Sequence, residues 1–224
     1  MKTIVISLGG SVLFSEESQP LFLQKLATLF KKISSTTKVY LVIGGGKVAR
    51  DYISLGRSLG FGEETLDELG IAITRVNALL VAHLMNGTTH NIPHTIQKAQ
   101  SLKHPLVVMG GTIPGHSTDK VGAELAKETH ADLFVIATNV DGIYDKDPKV
   151  HPDVKHIKKI SIDELIKLFG IAWQAAGKNT VVDGPALAII KQAQLPTVVV
   201  NGKKLDQLEK ALTGRSFVGT IISV

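Results

Sequence analysis

Three glycine clusters along the chain each follow a short apolar run, and this placement could serve phosphate binding. The clusters occur in the stretches ISLGGS at 6–11, VIGGGK at 42–47 and VVMGGT at 107–112. A glycine has no side chain to keep an anion away, so its backbone N–H can approach a phosphate oxygen directly. One such cluster would be an ordinary tight turn, but three clusters at the ends of apolar runs favour a shared phosphate site.

Two cationic side chains follow the second cluster and suggest what the site could do. Lys47 comes directly after the glycine triplet, and Arg50 lies three residues further along. Phosphoryl transfer asks a protein mainly to position its reactants and to neutralise negative charge spread over the phosphate oxygens. The positive end of a helix beginning near Lys47 would add to that charge. We therefore predict Lys47 and Arg50 as catalytic residues, and expect a side chain at Gly46 to block phosphate while leaving the fold largely intact.

Other kinds of site find little support in the sequence. The chain has no cysteine, which excludes disulfides and thiolate metal sites. Neither the Walker A spacing nor a G-x-G-x-x-G fingerprint occurs. His90 and His94 have the spacing of a helical metal pair, but Pro93 between them argues against that helix, so we predict surface positions for both and no metal-ligating side chains. Trp173 is interpreted as a core or interface residue.

The segments around the glycine clusters predict the elements that position them. Five runs rich in β-branched residues are continuously apolar, which is typical of strands buried on both faces of a parallel sheet. These runs cover 3–8, 39–43, 106–109, 133–138 and 197–200. Segments with helical spacing of apolar residues alternate with them, at 21–33, 71–84, 121–128, 162–169, 185–192 and 205–212. The helix at 71–84 is apolar on nearly every side, so we expect it to be largely buried.

This alternation predicts an α/β fold, a three-layer α/β/α sandwich with a mainly parallel twisted sheet. In such a sheet the carboxyl ends of the strands converge on one edge, where ligands of open α/β sheets bind. No linker rich in proline or serine interrupts the 224 residues. We expect one domain over 1–224, with an N-terminal lobe of about 1–118 and a C-terminal lobe of about 119–224.

Composition limits the partners that the protein is expected to have. The net charge of +5 is modest, the cations are dispersed, and only 5% of residues are aromatic, so no nucleic-acid partner is expected. No apolar stretch approaches the length of a membrane span, and the N-terminus lacks the features of a signal peptide. The sequence therefore predicts a cytoplasmic protein with no membrane partner.

Beyond these patterns, the motifs together resemble a known family. The stretches that carry the resemblance are SLGGS, GGGKVAR, GGTIPGHSTD and TNVDGIYDKDP, in matching order and spacing from Ile4 to about Asp183. They resemble the amino acid kinase superfamily, and with DELGIAITRVN at 67–77 they are most similar to its archaeal-type uridylate (UMP) kinases. The resemblance implies a transferase that phosphorylates UMP to UDP with ATP and Mg²⁺, in pyrimidine nucleotide biosynthesis. It also implies a homohexamer built as a trimer of dimers.

Position by position, the resemblance implies two sets of binding residues. The implied ATP-binding residues are Gly9, Gly10, Ser11, Gly46, Arg50, Thr138, Asn139, Tyr144 and Asp147. The implied UMP-binding residues are Gly45, Asp67, Thr74, Asn77, Thr112, Ile113, Pro114, Gly115, His116, Ser117 and Thr118. Asp67 would accept hydrogen bonds from the UMP ribose.

Some of these side chains also have plainer interpretations. Asp67 could be a first-turn carboxylate that favours the positive end of a helix. Thr74 and Asn77 could bind backbone groups, and Asp119 could be only an N-cap.

The chain departs from the superfamily at one position that bears on catalysis. Many members carry a lysine two residues before the first glycine pair, where it contacts the transferred phosphate, and this chain has Ser7 there. Lys47, Lys120 and Lys178 are the candidate replacements, with Lys47 first because it follows the glycine triplet.

Two alternatives remain open at this point. One is a kinase of the same fold that acts on isopentenyl phosphate, fosfomycin or an amino-acid carboxylate. The other is a non-catalytic relative that binds a nucleotide or an oxyanion. The isopentenyl phosphate branch typically has a histidine before its second glycine cluster, where this chain has Ile43, and the set of Asp67, Thr74 and Asn77 favours a ribose-bearing acceptor.

Overall fold

A seven-stranded sheet forms the centre of the protein in a computed structural model that describes residues 1–14, 20–87, 92–145, 153–171 and 181–224. Its strands are β1 Thr3–Leu8, β2 Lys38–Ile43, β3 Leu106–Met109, β4 Leu133–Thr138, β7 Lys159–Ser161, β8 Thr197–Asn201 and β9 Gly219–Ser223. They lie in the order β3-β2-β1-β4-β8-β9-β7. A separate two-stranded hairpin pairs β5, Ile143–Tyr144, with β6, His156–Ile157.

The five strands expected from the sequence are parallel to one another, which confirms the fold prediction. Their ends agree with the predicted runs to within one residue. Strand β9 runs antiparallel to β8, and β7 pairs parallel to β9. Neither of these strands was predicted, because β7 has only three residues and neither strand is continuously buried.

The helices of the described residues cover both faces of this sheet. They are α1 Gly10–Leu13, α2 Pro20–Ser34, α3 Gly46–Ser58, α4 Glu63–Met85, α5 Ile96–Ser101, α6 Thr118–Glu128, α7 Ile162–Phe169, α8 Gly184–Ala193 and α9 Leu205–Leu212. Five of the six predicted helices agree with these bounds to within three residues. Helix α3 begins at Gly46, in agreement with the predicted start near Lys47. Helix α4 begins at Glu63 rather than at residue 71, so the interpretation of Asp67 as a first-turn carboxylate was wrong.

The alternation of side chains along β1 shows how the sheet divides the core into two layers. Ile4, Ile6 and Leu8 pack with α2, α4 and α9 on one face. Val5 points to the opposite face, where α5, α6, α7 and α8 pack. Because side chains alternate along a strand, Ser7 lies on the same face as Val5, beneath α6.

Helix α4 departs from two expectations of the sequence. It buries Ala78, Val81 and Met85, but its other face leaves Val76 and Leu80 more than half exposed, so the prediction of a largely buried helix was wrong. At 23 residues it is also long and apolar enough to cross a membrane by length and composition alone, contrary to the expectation that no stretch reaches that length. Its buried face packs on α2 and the sheet, as in a core helix of the fold.

Candidate active site

The first two glycine clusters meet at the carboxyl edge of the sheet in direct backbone contact. A Cβ atom added to Gly10 would lie 2.1 Å from the backbone nitrogen of Gly46, and one added to Gly44 would lie 2.6 Å from that of Gly10. The third cluster packs on α4, where a Cβ on Gly110 would lie 2.8 Å from Thr74 Oγ1. The prediction that the three clusters converge on one edge is therefore confirmed.

The backbone conformation and close contacts of Gly46 require a glycine at this position of the site. Its φ angle of +69° lies in the left-handed region, which side chains other than glycine rarely adopt. A Cβ at this position would also lie 2.8 Å from the carbonyl oxygen of Gly10. The expectation that a side chain at Gly46 would leave the fold intact was wrong, because it would press on the neighbouring glycine loop.

Strand β1 occupies the point at which the strand order changes direction. Strands β2 and β3 follow on one side of it, and β4 and β8 lie on the other. Open α/β sheets bind ligands in the crevice outside such a switch point. The glycine loop after β1 is thus at the centre of the candidate site.

Helix α4 holds two of the glycine loops through polar side chains. The Asn77 amide donates to the carbonyl oxygens of Gly44 at 3.0 Å and Gly45 at 3.2 Å. Thr74 is buried, donates its hydroxyl to Ile71 O at 2.6 Å and accepts the N–H of Gly111 at 2.7 Å. The interpretation that Thr74 and Asn77 bind backbone groups is therefore confirmed, since both bind loop backbone.

The same helix holds the loop after β3 near both of its ends. Asp67 Oδ2 accepts the N–H of Gly115 at 2.6 Å. Arg75 donates to the carbonyl oxygens of Gly111 at 3.2 Å and Thr112 at 2.8 Å. A carboxylate can accept about four hydrogen bonds, so Asp67 retains capacity for a ligand. Arg75 was not predicted as a site residue, although a cation within an otherwise apolar helical segment indicates a specific polar contact.

The loop itself carries the remaining candidates for UMP binding. Ile113 is exposed, while the other candidates in this loop are half-buried, namely Thr112, Pro114, Gly115, His116, Ser117 and Thr118. His116 Nδ1 is buried with no hydrogen-bond partner and lies 3.6 Å from Glu124 Oε2. Burial lowers the pKa of His116, with Glu124 opposing this effect and Lys120 adding to it. A neutral imidazole with an unused nitrogen therefore lines the loop.

Two carboxylates converge where the first turns of α6 and α8 approach β1. Ser7 Oγ donates to Asp119 Oδ1 at 2.6 Å. The Ser117 hydroxyl donates to Asp183 and caps α6, and Asp183 caps α8 by accepting the N–H of Ala186 at 2.7 Å. The possibility that Asp119 is the N-cap of α6 is thus corrected, because Ser117 fills that position.

The pKa values of both carboxyl groups are raised. Burial raises the pKa of Asp119 to about 7, the Asp183 charge adds to this, and the Ser7 hydrogen bond acts against it. Burial raises the pKa of Asp183 to about 6, against the Ala186 N–H and the charge of Lys120. The sequence analysis gave Asp183 no role, although an aspartate two residues before Pro185 is a helix-start signal.

The candidates for ATP binding lie mostly after β1 and β4. Gly9 donates its N–H to Ala137 O at 2.9 Å, and Ser11 is half-buried in α1. Thr138 is the last residue of β4, and Asn139 follows it. The ring of Tyr144 lies 5.3 Å from that of His156. Asp147 lies outside the described residues, as do Lys178, His90 and Trp173.

Beside this segment, Asp141 joins β4 to the end of β8. It accepts hydrogen bonds from Lys204 Nζ at 2.8 Å and from Asn201 Nδ2 at 2.9 Å. Burial raises the pKa of Asp141, but these hydrogen bonds together with the charges of Lys204 and His156 outweigh it, so the pKa is lowered.

The two cations predicted to be catalytic differ in their surroundings. The Lys47 side chain is 63% exposed and pairs with Asp51 at 2.7 Å on the outer face of α3. Arg50 is half-buried. Exposed pairs of this kind contribute little and are screened by solvent, so the surroundings of Lys47 do not favour a catalytic role.

Comparison with known proteins gives consistent results over the length of the chain. A family model described as the Amino acid kinase family matches residues 2–201. The uridylate kinase of Methanocaldococcus jannaschii is 44% identical over 226 residues, covering 98% of each chain. That of Methanobrevibacter smithii is 40% identical over 223 residues, covering 98% of this chain and 99% of that protein. The crystal structure of uridylate kinase from Archaeoglobus fulgidus has a TM-score of 0.87 and 37% identity, with complete coverage of both chains.

Proposed function

This chain belongs to the amino acid kinase family, and from that premise we propose that it is a UMP kinase. It transfers the γ-phosphoryl group of ATP to UMP, giving UDP and ADP, in pyrimidine nucleotide biosynthesis. The observation that carries the proposal is the similarity, over nearly the whole chain, to proteins named uridylate kinase. Two features of the site support the proposal: the first two glycine loops are in backbone contact, and Asp67 holds the loop after β3.

The reaction needs positioning and charge neutralisation rather than a covalent intermediate. A phosphate oxygen of UMP forms a bond to the γ-phosphorus, and the bond from that phosphorus to the bridging oxygen breaks, leaving its electron pair on ADP. We propose that Gly9, Gly10, Ser11, Gly46 and Arg50 bind the ATP phosphates. The adenine would lie toward Thr138, Asn139, Tyr144 and Asp147.

The acceptor nucleotide is proposed to bind between α4 and the loop after β3. Gly45 would donate its N–H to the UMP phosphate, and Asp67 would accept hydrogen bonds from the ribose. Residues 112–118 would enclose the nucleotide. Thr74 and Asn77 would act on UMP through the loops whose backbone they bind.

A Mg²⁺ ion bound with ATP would neutralise charge on the transferred phosphate. Among the described residues, no three His, Cys, Asp or Glu side chains cluster as a metal site. Mg²⁺ in such enzymes is held largely by phosphate oxygens and water, so the two carboxylates Asp119 and Asp183 suit the ion by accepting hydrogen bonds from its water.

We also propose that the enzyme is cytoplasmic and assembles as a homohexamer, a trimer of dimers. Exposed apolar side chains line α3 at helical spacing, namely Val48, Tyr52, Leu55 and Leu59. The adjoining α4 exposes Val76, Leu79 and Leu80. Exposed apolar side chains grouped on adjoining helices typically mark an interface between proteins.

A coupled assay of ADP formation tests the activity directly. With ATP and Mg²⁺ present, UMP should be turned over far faster than isopentenyl phosphate, fosfomycin or amino acids. Preference for one of those acceptors would instead identify a different kinase of the same fold. Binding of ATP without turnover of any acceptor would identify a non-catalytic relative.

A further inference from the structure

The first turn of α6 lies closely over the end of β1, next to the glycine loop. A Cβ on Gly122 would lie 2.8 Å from the Phe134 ring and 3.5 Å from Ser7 Cβ, so α6 rests directly on the sheet there. The hydrogen bond from Ser7 to Asp119 fastens the same turn to β1, two residues before Gly9. The next residue along the helix is Lys120.

Two half-buried carboxyl groups, Asp119 and Asp183, lie at this corner of the site. Asp119 and Asp183 interact through their charges, and burial disfavours the ionised form of both. Phosphate groups bound at the adjacent glycine loops would add further negative charge. A nearby cation is therefore needed for these groups to be close together during transfer.

Several cations near this edge of the sheet are already engaged elsewhere. Lys47 pairs with Asp51 on an exposed surface. Arg75 donates to two loop carbonyls, and Lys204 pairs with Asp141.

Lys120 has different surroundings from these cations. Its side chain is only 22% exposed, and among the described residues it makes a long ionic contact of 3.9 Å with Glu124 Oε1. Its charge lowers the pKa values of both Asp183 and His116, so its ammonium lies near these two side chains.

We propose that the Lys120 ammonium contacts the γ-phosphoryl group during its transfer and neutralises the charge that develops on its oxygens. This proposal rests on the proposed function. Lys120 moves no proton: the attacking UMP oxygen bonds to the γ-phosphorus, and the bridging oxygen leaves with its electron pair on ADP. The four-carbon stem of lysine lets the ammonium move from Glu124 to the phosphate. The positive charge would then be supplied by a side chain of α6, since β1 has Ser7 rather than a cation at the corresponding point.

Steady-state kinetics with UMP and ATP on Lys120→Met, Lys120→Arg and wild type test this role. Removing one charged donor to a transition state typically costs about 10²–10³-fold in rate, and we expect that loss in kcat for Lys120→Met. Calorimetry should show that affinities for UMP and a non-hydrolysable ATP analogue change by less than about threefold. Lys120→Arg should recover a large part of the loss.

Matched controls separate the role from general damage. Lys127→Met removes an exposed lysine from the other end of α6 and should leave kcat unchanged. Lys120→Gln provides a second neutral variant if Lys120→Met does not fold. A neutral variant that is folded and keeps wild-type kcat, or one that loses only nucleotide affinity, would overturn the proposal.

Failure of the proposed function gives a different result. If wild type ignores UMP but phosphorylates another acceptor, UMP kinase activity is refuted, and the same variants test Lys120 on that acceptor. If wild type phosphorylates none of the acceptors, both proposals are overturned.

Discussion

At the scale of single residues, the polar side chains of the site bind the backbone of loops that would hold the ligands. Asp67 accepts the N–H of Gly115, and Asn77 donates to the carbonyls of Gly44 and Gly45. A substitution at such a residue changes loop geometry together with any direct contact to a ligand. Tests therefore need separate measurements of the binding of UMP and of ATP.

Replacing Asp67 by Ala is expected to weaken UMP binding and leave ATP binding nearly unchanged. Hydrogen bonds to a charged group are worth roughly 1.5–3 kcal/mol, which corresponds to about 10- to 150-fold in affinity. The substrate dUMP lacks the 2′-hydroxyl, so it should be a poorer substrate than UMP, and its handicap should shrink in the variant. Kinetics with UMP and dUMP, with ATP titrations beside them, measure both effects.

Glu68→Ala is the matched control, because Glu68 is the exposed neighbour on the same helix. Equal losses for UMP and ATP in Asp67→Ala would indicate damaged folding. No loss for either nucleotide would leave Asp67 as a residue that serves only to hold the loop at Gly115.

Replacing Asp119 by Asn is expected to stabilise the protein more at pH 8 than at pH 5. Burial raises the pKa of Asp119 from 3.8 to about 7 in the folded protein. Between these values the folded state binds more protons than the unfolded state, so the free energy of unfolding falls as pH rises. Asp119→Asn lacks this pH-dependent loss of stability. The free energy of unfolding of the variant relative to wild type should therefore increase by on the order of 2 kcal/mol between pH 5 and pH 8.

Urea unfolding of both proteins at pH 5 and pH 8 measures this difference. Asp153→Asn, at an exposed position, serves as the control and should show no such dependence. An Asp119→Asn advantage that is the same at both pH values would contradict the prediction. The expected result would mean that the carboxylate is kept at a cost in stability.

At the scale of elements, α4 determines the arrangement of two loops at once. Asn77 holds the loop after β2, and Thr74, Arg75 and Asp67 hold the loop after β3. The two loops are proposed to bind the UMP phosphate and the rest of the nucleotide. A rigid helix between them can set the distance between their backbones.

Replacing Arg75 by Met is expected to raise the KM for UMP by about tenfold, because the carbonyls of Gly111 and Thr112 lose a charged donor. The KM for ATP should change much less, and Arg75→Lys should restore part of the loss. Arg57→Met removes an exposed pair with Glu63 on the neighbouring helix and should have little effect. A similar rise in the two KM values would point to general damage to the site.

At the scale of the whole molecule, one exposed apolar surface is proposed to be the interface of the oligomer. The outer faces of α3 and α4 present apolar side chains at helical spacing, next to loops of the candidate site. On α4, Val76 of this surface lies between Arg75 and Asn77, which hold the loops. Association through this surface would therefore involve the same helix that shapes the proposed UMP site.

Replacing Leu55 by Glu is expected to break the oligomer, because a charge would have to be buried in an apolar interface. Sedimentation should show smaller species than the hexamer expected for wild type. Leu21→Glu, at an exposed apolar position at the start of α2, should leave the assembly unchanged. A Leu55→Glu protein of unchanged mass would exclude this surface as the interface.

The sequence by itself determined the parallel strands, most of the helices and the edge at which the glycine clusters meet. Strands buried on both faces must be continuously apolar, and a backbone packed against backbone must be glycine. Both requirements are local, so 106–109 could be assigned as a strand and 42–47 to a glycine loop at the end of a strand without knowledge of the fold. The exposed face of α4 could not be predicted, because an apolar residue gives the same sequence pattern whether it is buried in the core or exposed at the surface.

Only the tertiary structure decided which side chains act together. Ser7 and Asp119 are 112 residues apart in sequence, Ser117 and Asp183 are 66 apart, and Arg75 and Thr112 are 37 apart. The first two pairs form because the strand order places β1 beneath α6 and sets α6 beside α8, and the third forms because α4 packs against β3. The helical phase, likewise, turns Lys47 toward solvent and leaves Lys120 half-buried beside the carboxylates. A charge pattern in sequence contains neither the strand order nor the helical phase.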